Sequence, residues 1–134
     1  MKQTGLVKQI LLVEDEQPLI DAIKNKLEYG LYSVTVAKSA AEAFSALAKD
    51  PNIDAIWLDH YLLGKETGLD FITGIKTDGN KWKNIPVFVV SNTATPDKIH
   101  SYMRLGVTDY YTKADHRLDK IVDDITIFLG KNVN

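Results

Sequence analysis

Short apolar runs alternate with helical stretches along this chain of 134 residues. Several runs are nearly continuous rather than alternating between apolar and polar residues. Continuous runs are typical of strands that are covered on both faces of a parallel sheet. The pattern therefore predicts five strands of this kind. They occupy residues 10–13, 32–37, 55–58, 87–90 and 110–111.

The stretches between the runs carry apolar residues at helical spacing. Leu19, Ile23 and Leu27 recur every four residues, and the Gly30 that follows predicts the end of that helix. Four further helices are predicted from the same spacing. Their apolar positions are 43, 44 and 47; 69, 72 and 75; 99 and 103; and 118, 121, 122, 125 and 128.

Two of these helices also carry signals at their first residues. Ser39 with Glu42 forms the pattern of a capping box, in which each side chain bonds the other residue's backbone N–H. Thr95 followed by Pro96 predicts an N-cap and a proline at the first helical position, in a helix that stops at Gly106.

Five strand–helix alternations predict an α/β sandwich around a central parallel sheet. Right-handed crossovers with helices on both faces make such a fold doubly wound. The length suits one domain over residues 1–134, with a core over about residues 8–130. In folds of this class, ligands bind at the carboxyl ends of the strands.

Composition excludes several classes of function. A net charge of −2 disfavours nucleic acid as a direct partner, because phosphate backbones select basic surfaces. The absence of cysteine excludes disulfides and thiolate chemistry. No apolar run has the length of a membrane span, and the first five residues lack the apolar core of a signal peptide. We therefore expect a cytoplasmic protein.

Polar and charged residues follow four of the predicted strands, at residues 14–16, 59, 91–93 and 112–113. Any one of them alone is a solvated loop residue in most proteins. Together they bring several carboxylates, a hydroxyl and an ammonium to one edge of the sheet. Because like charges repel, the carboxylates require a cation, and hard oxygen ligands select Mg²⁺ or a similar ion.

Residues 10–16, 58–68, 85–91 and 106–113 resemble the receiver domains of response regulators. The resemblance implies a flavodoxin-like (βα)5 sandwich with five parallel strands in the order 2-1-3-4-5. It also implies a phosphorylation-dependent switch of a two-component or phosphorelay system. By the same resemblance, Asp59 is the phosphoacceptor, and its donor is a histidine kinase or a histidine phosphotransfer protein.

The resemblance further implies a metal site, because a carboxylate must approach an anionic phosphoryl group. The expected ion is Mg²⁺, or Mn²⁺ in its place. Asp15 and the Asp59 side chain are the expected direct ligands, with the backbone carbonyl of Tyr61 as a third. Glu14 is expected to reach the metal through water.

Three further positions receive roles from the resemblance. Lys113 is expected to contact the phosphoryl group and to pair with Asp59 without it. Ser91 is expected to donate its hydroxyl to a phosphoryl oxygen. Tyr110 occupies the place of an aromatic switch that alters the surface of helix 4, strand 5 and helix 5, although a tyrosine in a short strand is also often plain packing.

Tyr61 and Thr93 occupy the places where receivers tune hydrolysis of the acyl phosphate. Neither side chain is a strong general base. A bulky Tyr61 shields the phosphoryl group from water, and we therefore expect slow to moderate autodephosphorylation.

Two rival functions stay open. The first is a binding module of the same fold with a constitutive interface. The second is a metal-dependent phosphatase or phosphotransferase, although such enzymes place two aspartates two residues apart after the first strand. The leading hypothesis is not an enzyme with a separate substrate, since the chain would transfer the phosphoryl group to itself. We expect protein partners, no membrane contact, and either a monomer or a phosphorylation-dependent dimer, in a stand-alone receiver or a piece of a longer protein.

Overall fold

The computed structural model describes residues 7–77, 79–93 and 95–130, so the expected domain of residues 1–134 extends at both ends beyond the described part. Five strands and five helices alternate along the chain. Their order and bounds are β1 Gln9–Val13, α1 Gln17–Tyr29, β2 Ser33–Ala37, α2 Ala40–Lys49, β3 Ala55–Leu58, α3 Gly68–Ile75, β4 Val87–Ser91, α4 Pro96–Arg104, β5 Asp109–Thr112 and α5 Leu118–Leu129.

The strands form one parallel sheet in the order β2-β1-β3-β4-β5, which confirms the predicted doubly wound topology. The register aligns the carboxyl ends of the central strands. Val13, the last residue of β1, lies opposite Ala37 in β2 and Leu58 in β3. The residues that follow these strands therefore emerge side by side at one edge of the sheet.

Two apolar layers cover the sheet. Trp57 and Phe88 belong to the layer shared with α1 and α5, where Ile23 and Ile121 are fully buried. The other layer contains the buried apolar residues of α2, α3 and α4, such as Phe71. Burial on both faces accounts for the continuous apolar runs, because every residue of β3 is inaccessible to solvent.

None of the helices in residues 7–77, 79–93 and 95–130 is long and apolar enough to cross a membrane.

The predicted N-caps of α2 and α4 are present, with one difference. Ser39 Oγ accepts from Glu42 N at 3.1 Å, but the Glu42 carboxylate accepts from Lys38 N at 2.9 Å instead of closing the capping box on Ser39. The longer reach of a glutamate lets it bond one residue further back. Thr95 Oγ1 accepts from Lys98 N at 3.3 Å, as expected for a cap before proline.

The predicted buried stripe of α5 is wrong at one position. Ile121 and Ile125 are fully buried, whereas Phe128 is 55% exposed. Phe128 lies seven residues after Ile121 and therefore on the same face of the helix, but it is only one residue before the end of α5. Phe128 therefore lies at the rim of the core, where its ring meets the edge of Phe88 at 5.7 Å between centroids.

Gly68, the first residue of α3, approaches the end of β3 closely. A Cβ atom at this position would lie 2.5 Å from the backbone oxygen of Asp59 and 2.8 Å from the hydroxyl of Tyr102. The Gly68 N–H also donates to the His60 carbonyl at 2.8 Å. Only glycine allows α3 to begin this close to the strand end, because any side chain would collide with backbone.

We expect Gly68→Ala to lower the free energy of unfolding by about 1–3 kcal/mol, since the backbone must shift to admit the methyl group. Gly30→Ala is the matched control. Its Cβ would meet neighbours no closer than 3.4 Å, and its φ of −79° suits alanine. We expect the control to change stability by less than about 0.5 kcal/mol. Urea unfolding of both variants measures the difference, and equal losses would contradict the close approach.

Candidate functional site

Three carboxylates meet where β1 and β3 end. Glu14 and Asp15 directly follow β1, and Asp59 directly follows β3. One oxygen from each of the three lies within 4.8 Å of the others. Glu14 is fully buried and Asp59 is 4% exposed, whereas Asp15 is half-buried. Buried carboxylates at this spacing repel one another and require nearby positive charge.

Lys113 supplies part of that charge from the end of β5. Its Nζ lies 3.3 Å from Glu14 Oε1 and 3.5 Å from Asp59 Oδ1, so one ammonium serves two carboxylates. The Lys113 N–H donates to the carbonyl of Ser91 at 2.8 Å, which fixes the backbone from which the side chain reaches inward. The structure thus joins the ends of β1, β3 and β5 through one cation.

The burial of these groups changes their ionisation. Burial raises the pKa of Asp59 to about 7, with the charge of Glu14 adding to the effect and Lys113 opposing it. Burial likewise raises the pKa of Glu14, against the lowering effects of Lys113 and of the N–H of Glu16. In both groups the effect of burial outweighs the lowering effect of the Lys113 ammonium.

The donor set is suited to a divalent cation. Three carboxylate oxygens within 4.8 Å of one another are hard ligands of the kind that Mg²⁺ and Mn²⁺ prefer. A bound cation would remove the repulsion between Glu14 and Asp59 that the pKa of Asp59 records. The cluster therefore fits a metal on chemical grounds. The carbonyl role of Tyr61 and the water-mediated role of Glu14 stay predictions.

Ser91 ends β4 beside this cluster and is fully buried. Its Oγ accepts a long hydrogen bond of 3.4 Å from the N–H of Thr93. A hydroxyl with such a weak contact is available to a better acceptor at little cost. The position suits the donor role that the sequence predicts for Ser91.

Tyr110 is half-buried in β5, and its hydroxyl donates to the carbonyl of Thr93 at 2.6 Å. Its ring packs 5.6 Å from that of Tyr102 on α4. In the loop between β4 and α4, Thr93 therefore bonds Ser91 through its N–H and Tyr110 through its carbonyl. This connection is what a switch at Tyr110 requires, and the role itself stays a prediction.

A hydrogen-bonded pair beside Asp59, formed by His60 and Tyr102, was not predicted. The N–H of His60 donates to Asp59 Oδ1 at 2.9 Å, and His60 Nδ1 lies 2.7 Å from the hydroxyl of the fully buried Tyr102. Burial lowers the pKa of His60, and the charge of Lys98 lowers it further. Sequence offered no signal for this pair, because the partners are 42 positions apart.

Lys98 on the first turn of α4 is a second residue that the sequence analysis missed. Its Nζ donates to Thr93 Oγ1 at 2.7 Å and to the hydroxyl of Tyr61 at 3.2 Å. A lysine in the first helical turn is unfavourable beside the positive end of the helix dipole. That local disadvantage is a weak signal that the residue is held by other contacts.

Comparison with known proteins gives the family context. The sequence model for the response regulator receiver domain matches residues 10–126. The two-component response regulator ORR7 of Oryza sativa subsp. japonica is 29% identical over 104 residues, which is 78% of this chain and 49% of that protein. The chain thus spans about half the length of this relative.

Solved structures of the same family superpose closely. The phosphorylated cyanobacterial phytochrome response regulator RcpA gives a TM-score of 0.82 at 30% identity, covering 96% of this chain and 97% of that one. The Mn²⁺-bound form of response regulator Rcp1 gives 0.80 at 26% identity, covering 95% and 97%. The likeness therefore extends over nearly the whole of both chains.

The raised pKa of Asp59 predicts a pH-dependent effect on stability. The folded protein holds the proton until about pH 7, whereas the unfolded chain releases it near pH 4. The contribution of Asp59 to stability is therefore complete below about pH 4 and is lost as pH rises through about 7. In EDTA, we expect Asp59→Asn to be more stable than wild type at pH 8 by on the order of 2–4 kcal/mol.

Urea unfolding of both proteins between pH 4 and 8 measures this difference. The advantage of the variant should shrink towards pH 4, where Asp59 of the wild type is protonated and resembles the amide. A difference that does not change with pH would show that Asp59 is not the titrating group.

Proposed function

The chain belongs to the family of response regulator receiver domains, and we propose that Asp59 is the residue that accepts the phosphoryl group. Such a domain is a phosphorylation-dependent switch module of two-component signalling. The observation that carries the proposal is the environment of Asp59: a buried carboxylate clustered with Glu14 and Asp15, with the ammonium of Lys113 at 3.5 Å. The phosphorylated state of the relative RcpA supports it.

The transfer follows from these groups. An ionised Asp59 oxygen attacks the phosphorus of a phosphohistidine as the bond from phosphorus to the imidazole nitrogen breaks. The imidazole leaves and takes a proton from solvent, and Asp59 becomes an acyl phosphate. Lys113 lies where its ammonium offsets charge on the phosphoryl oxygens. The reaction requires the ionised form of Asp59, which Lys113 and the His60 N–H favour.

A divalent cation, Mg²⁺ or Mn²⁺, is the proposed cofactor. Asp15 and Asp59 would hold it directly, with the backbone carbonyl of Tyr61 as a further ligand and Glu14 through water. When bound, the cation supplies charge neutralisation between the carboxylates and the phosphoryl oxygens. The Mn²⁺-bound form of the relative Rcp1 supports this part of the proposal.

The proposed readout passes through the loop between β4 and α4. The Ser91 hydroxyl can donate its proton to a phosphoryl oxygen on Asp59, which is a strong charged acceptor, whereas the bond that Ser91 Oγ now accepts from Thr93 N is 3.4 Å long. Movement of Ser91 displaces Thr93, whose carbonyl holds the Tyr110 hydroxyl. The change thus reaches the surface of α4, β5 and α5, where a downstream protein would bind.

The proposed donor is a histidine kinase or a histidine phosphotransfer protein. The domain acts on its own aspartate and not on a separate substrate, so we propose a signalling role with slow autodephosphorylation rather than an enzyme. We further propose a single domain over the chain, either monomeric or dimeric on phosphorylation. A constitutive binding module of the same fold is the rival, and the ionisable cluster around Asp59 disfavours it because burial of unused charge is costly.

Phosphorylation by a small donor tests the assignment. We expect incubation with Mg²⁺ and acetyl phosphate to give one phosphoryl adduct per chain by intact mass, because the groups that assist transfer belong to this domain. Asp59→Asn should give none, since an amide is not a nucleophile here.

Asp54→Asn is the matched control, as Asp54 bonds the backbone of Gln9 at the opposite end of the sheet. It should be phosphorylated like the wild type. A wild type without adduct would support the constitutive binding module, and an undiminished adduct on Asp59→Asn would place the phosphoryl group elsewhere.

Metal binding has an internal reporter. Trp57 is fully buried two residues before Asp59 on the same side of β3, and Trp82→Phe leaves it as the single tryptophan of the chain. We expect Mg²⁺ to change its fluorescence in this variant. Adding Asp15→Asn should raise the Mg²⁺ concentration at the midpoint of this fluorescence change by about tenfold or more, because the charge of one metal ligand is lost.

Asp21→Asn in the same Trp82→Phe background is the control for this titration. Asp21 is exposed on α1, where its carboxylate accepts from Gln17. This control should titrate like its parent. Equal midpoints for all three proteins would contradict a metal site at Asp15.

A further inference from the structure

Lys98 connects the two loops that flank the end of the sheet around Asp59. From the first turn of α4, its Nζ donates to Thr93 Oγ1 at 2.7 Å, in the loop after β4. The same Nζ donates to the Tyr61 hydroxyl at 3.2 Å and lies 4.8 Å from the centre of the Tyr61 ring, in the loop after β3. One ammonium therefore holds two loops together.

We propose that Lys98 is a positioning residue that holds Tyr61 across the phosphorylated Asp59 and so extends the lifetime of the acyl phosphate. The inference rests on the proposed function of Asp59. It adds to that function a residue on α4, outside the groups that hold the metal or contact the phosphoryl group.

Tyr61 needs such a restraint because its surroundings leave it half in solvent. Its side chain is 53% exposed on a loop, and its ring touches the edge of His60 at 4.7 Å between centroids. An exposed tyrosine samples several rotamers, and each loss of the covering rotamer admits water. The contact with the Lys98 ammonium selects one rotamer through both the hydroxyl and the ring.

Thr93 anchors Lys98 to the loop after β4. Its N–H donates to Ser91 Oγ, its carbonyl accepts from the Tyr110 hydroxyl, and its Oγ1 accepts from Lys98. Lys98 therefore connects Tyr61, the side chain proposed to cover Asp59, to a residue that also bonds Ser91 and Tyr110.

The mechanism concerns the attack of water on phosphorus. Water displaces the Asp59 carboxylate, the bond from phosphorus to the aspartyl oxygen breaks, and inorganic phosphate leaves with the protons of the water. A cover that excludes water slows this step. It does not contribute a group to the forward transfer, so the rates of phosphorylation and dephosphorylation should respond differently to its loss.

The test is the decay of the phosphorylated protein after removal of acetyl phosphate, followed by intact mass. Lys98→Met keeps the approximate length of the side chain but removes the ammonium group and its hydrogen-bond donors. We expect its phosphoryl half-life to fall by about three- to tenfold, the change in rate that one ordinary hydrogen bond supports. Its rate of phosphorylation by acetyl phosphate should change by less than about twofold. Lys98→Arg, which keeps the charge and the donors, should recover most of the lifetime.

A double variant separates positioning from a direct charge effect. In a Tyr61→Ala background, which has no cover to hold, Lys98→Met should have no further effect on the half-life. Lys120→Met is the matched control, because that lysine pairs with Asp124 on α5 at 2.8 Å. It should decay like the wild type. Thermal unfolding checks that each variant is folded, and Thr93→Val tests the same link from its other end, with a shortened half-life expected.

The outcomes are distinct. Equal half-lives for wild type, Lys98→Met and Thr93→Val would overturn the inference while leaving Asp59 as phosphoacceptor. A longer half-life in Lys98→Met would overturn it as well. So would an equal shortening of the half-life by Lys98→Met in the wild-type and in the Tyr61→Ala background. Failure of the wild type to form any adduct would instead contradict the proposed function itself.

Discussion

The sharing of one ammonium between two buried carboxylates is the interaction on which the rest of the site depends. Lys113 lies 3.3 Å from Glu14 and 3.5 Å from Asp59, and neither acid has another cationic side chain within ion-pair distance in residues 7–77, 79–93 and 95–130. A single positive charge cannot satisfy two negative ones in a poorly hydrated site. Burial, with the charge of Glu14 adding to it, keeps the pKa of Asp59 high, and the deficit of positive charge makes the site receptive to a further cation.

The sheet makes this arrangement possible. Parallel strands in register place the residues after β1, β3 and β5 at one edge, so charges far apart in sequence meet without any dedicated loop. Glu14 and Lys113 are 99 positions apart, yet each needs only to follow a buried strand directly. The apolar layers on both faces then exclude water, which makes the charge deficit strong enough to matter.

The same geometry explains what sequence could and could not predict. The strands themselves and the gathering of Asp59 and Lys113 at one edge follow from apolar runs and from the residues directly after them, and both are local patterns. The order of the strands is implied only by the resemblance to receiver domains. The bond between Lys98 and Tyr61 depends on side-chain rotamers across 37 positions, which no local pattern encodes. The prediction that Phe128 is buried was wrong for a related reason. Helical spacing alone does not say at which residue the apolar face of α5 extends beyond the core.

The place of β1 beside β3 in the sheet has a consequence for how the protein is made. Its acidic end meets Asp59 as soon as β3 docks, whereas Lys113 follows the last strand of the sheet to be synthesised. A nascent chain that ends before β5 therefore holds like charges together without their internal cation, and its partial fold is penalised. Docking of β5 reduces the penalty, because it brings Lys113 to the two buried carboxylates. Electrostatic repulsion in the unfinished domain thus favours completion of the sheet over persistence of a half-formed one.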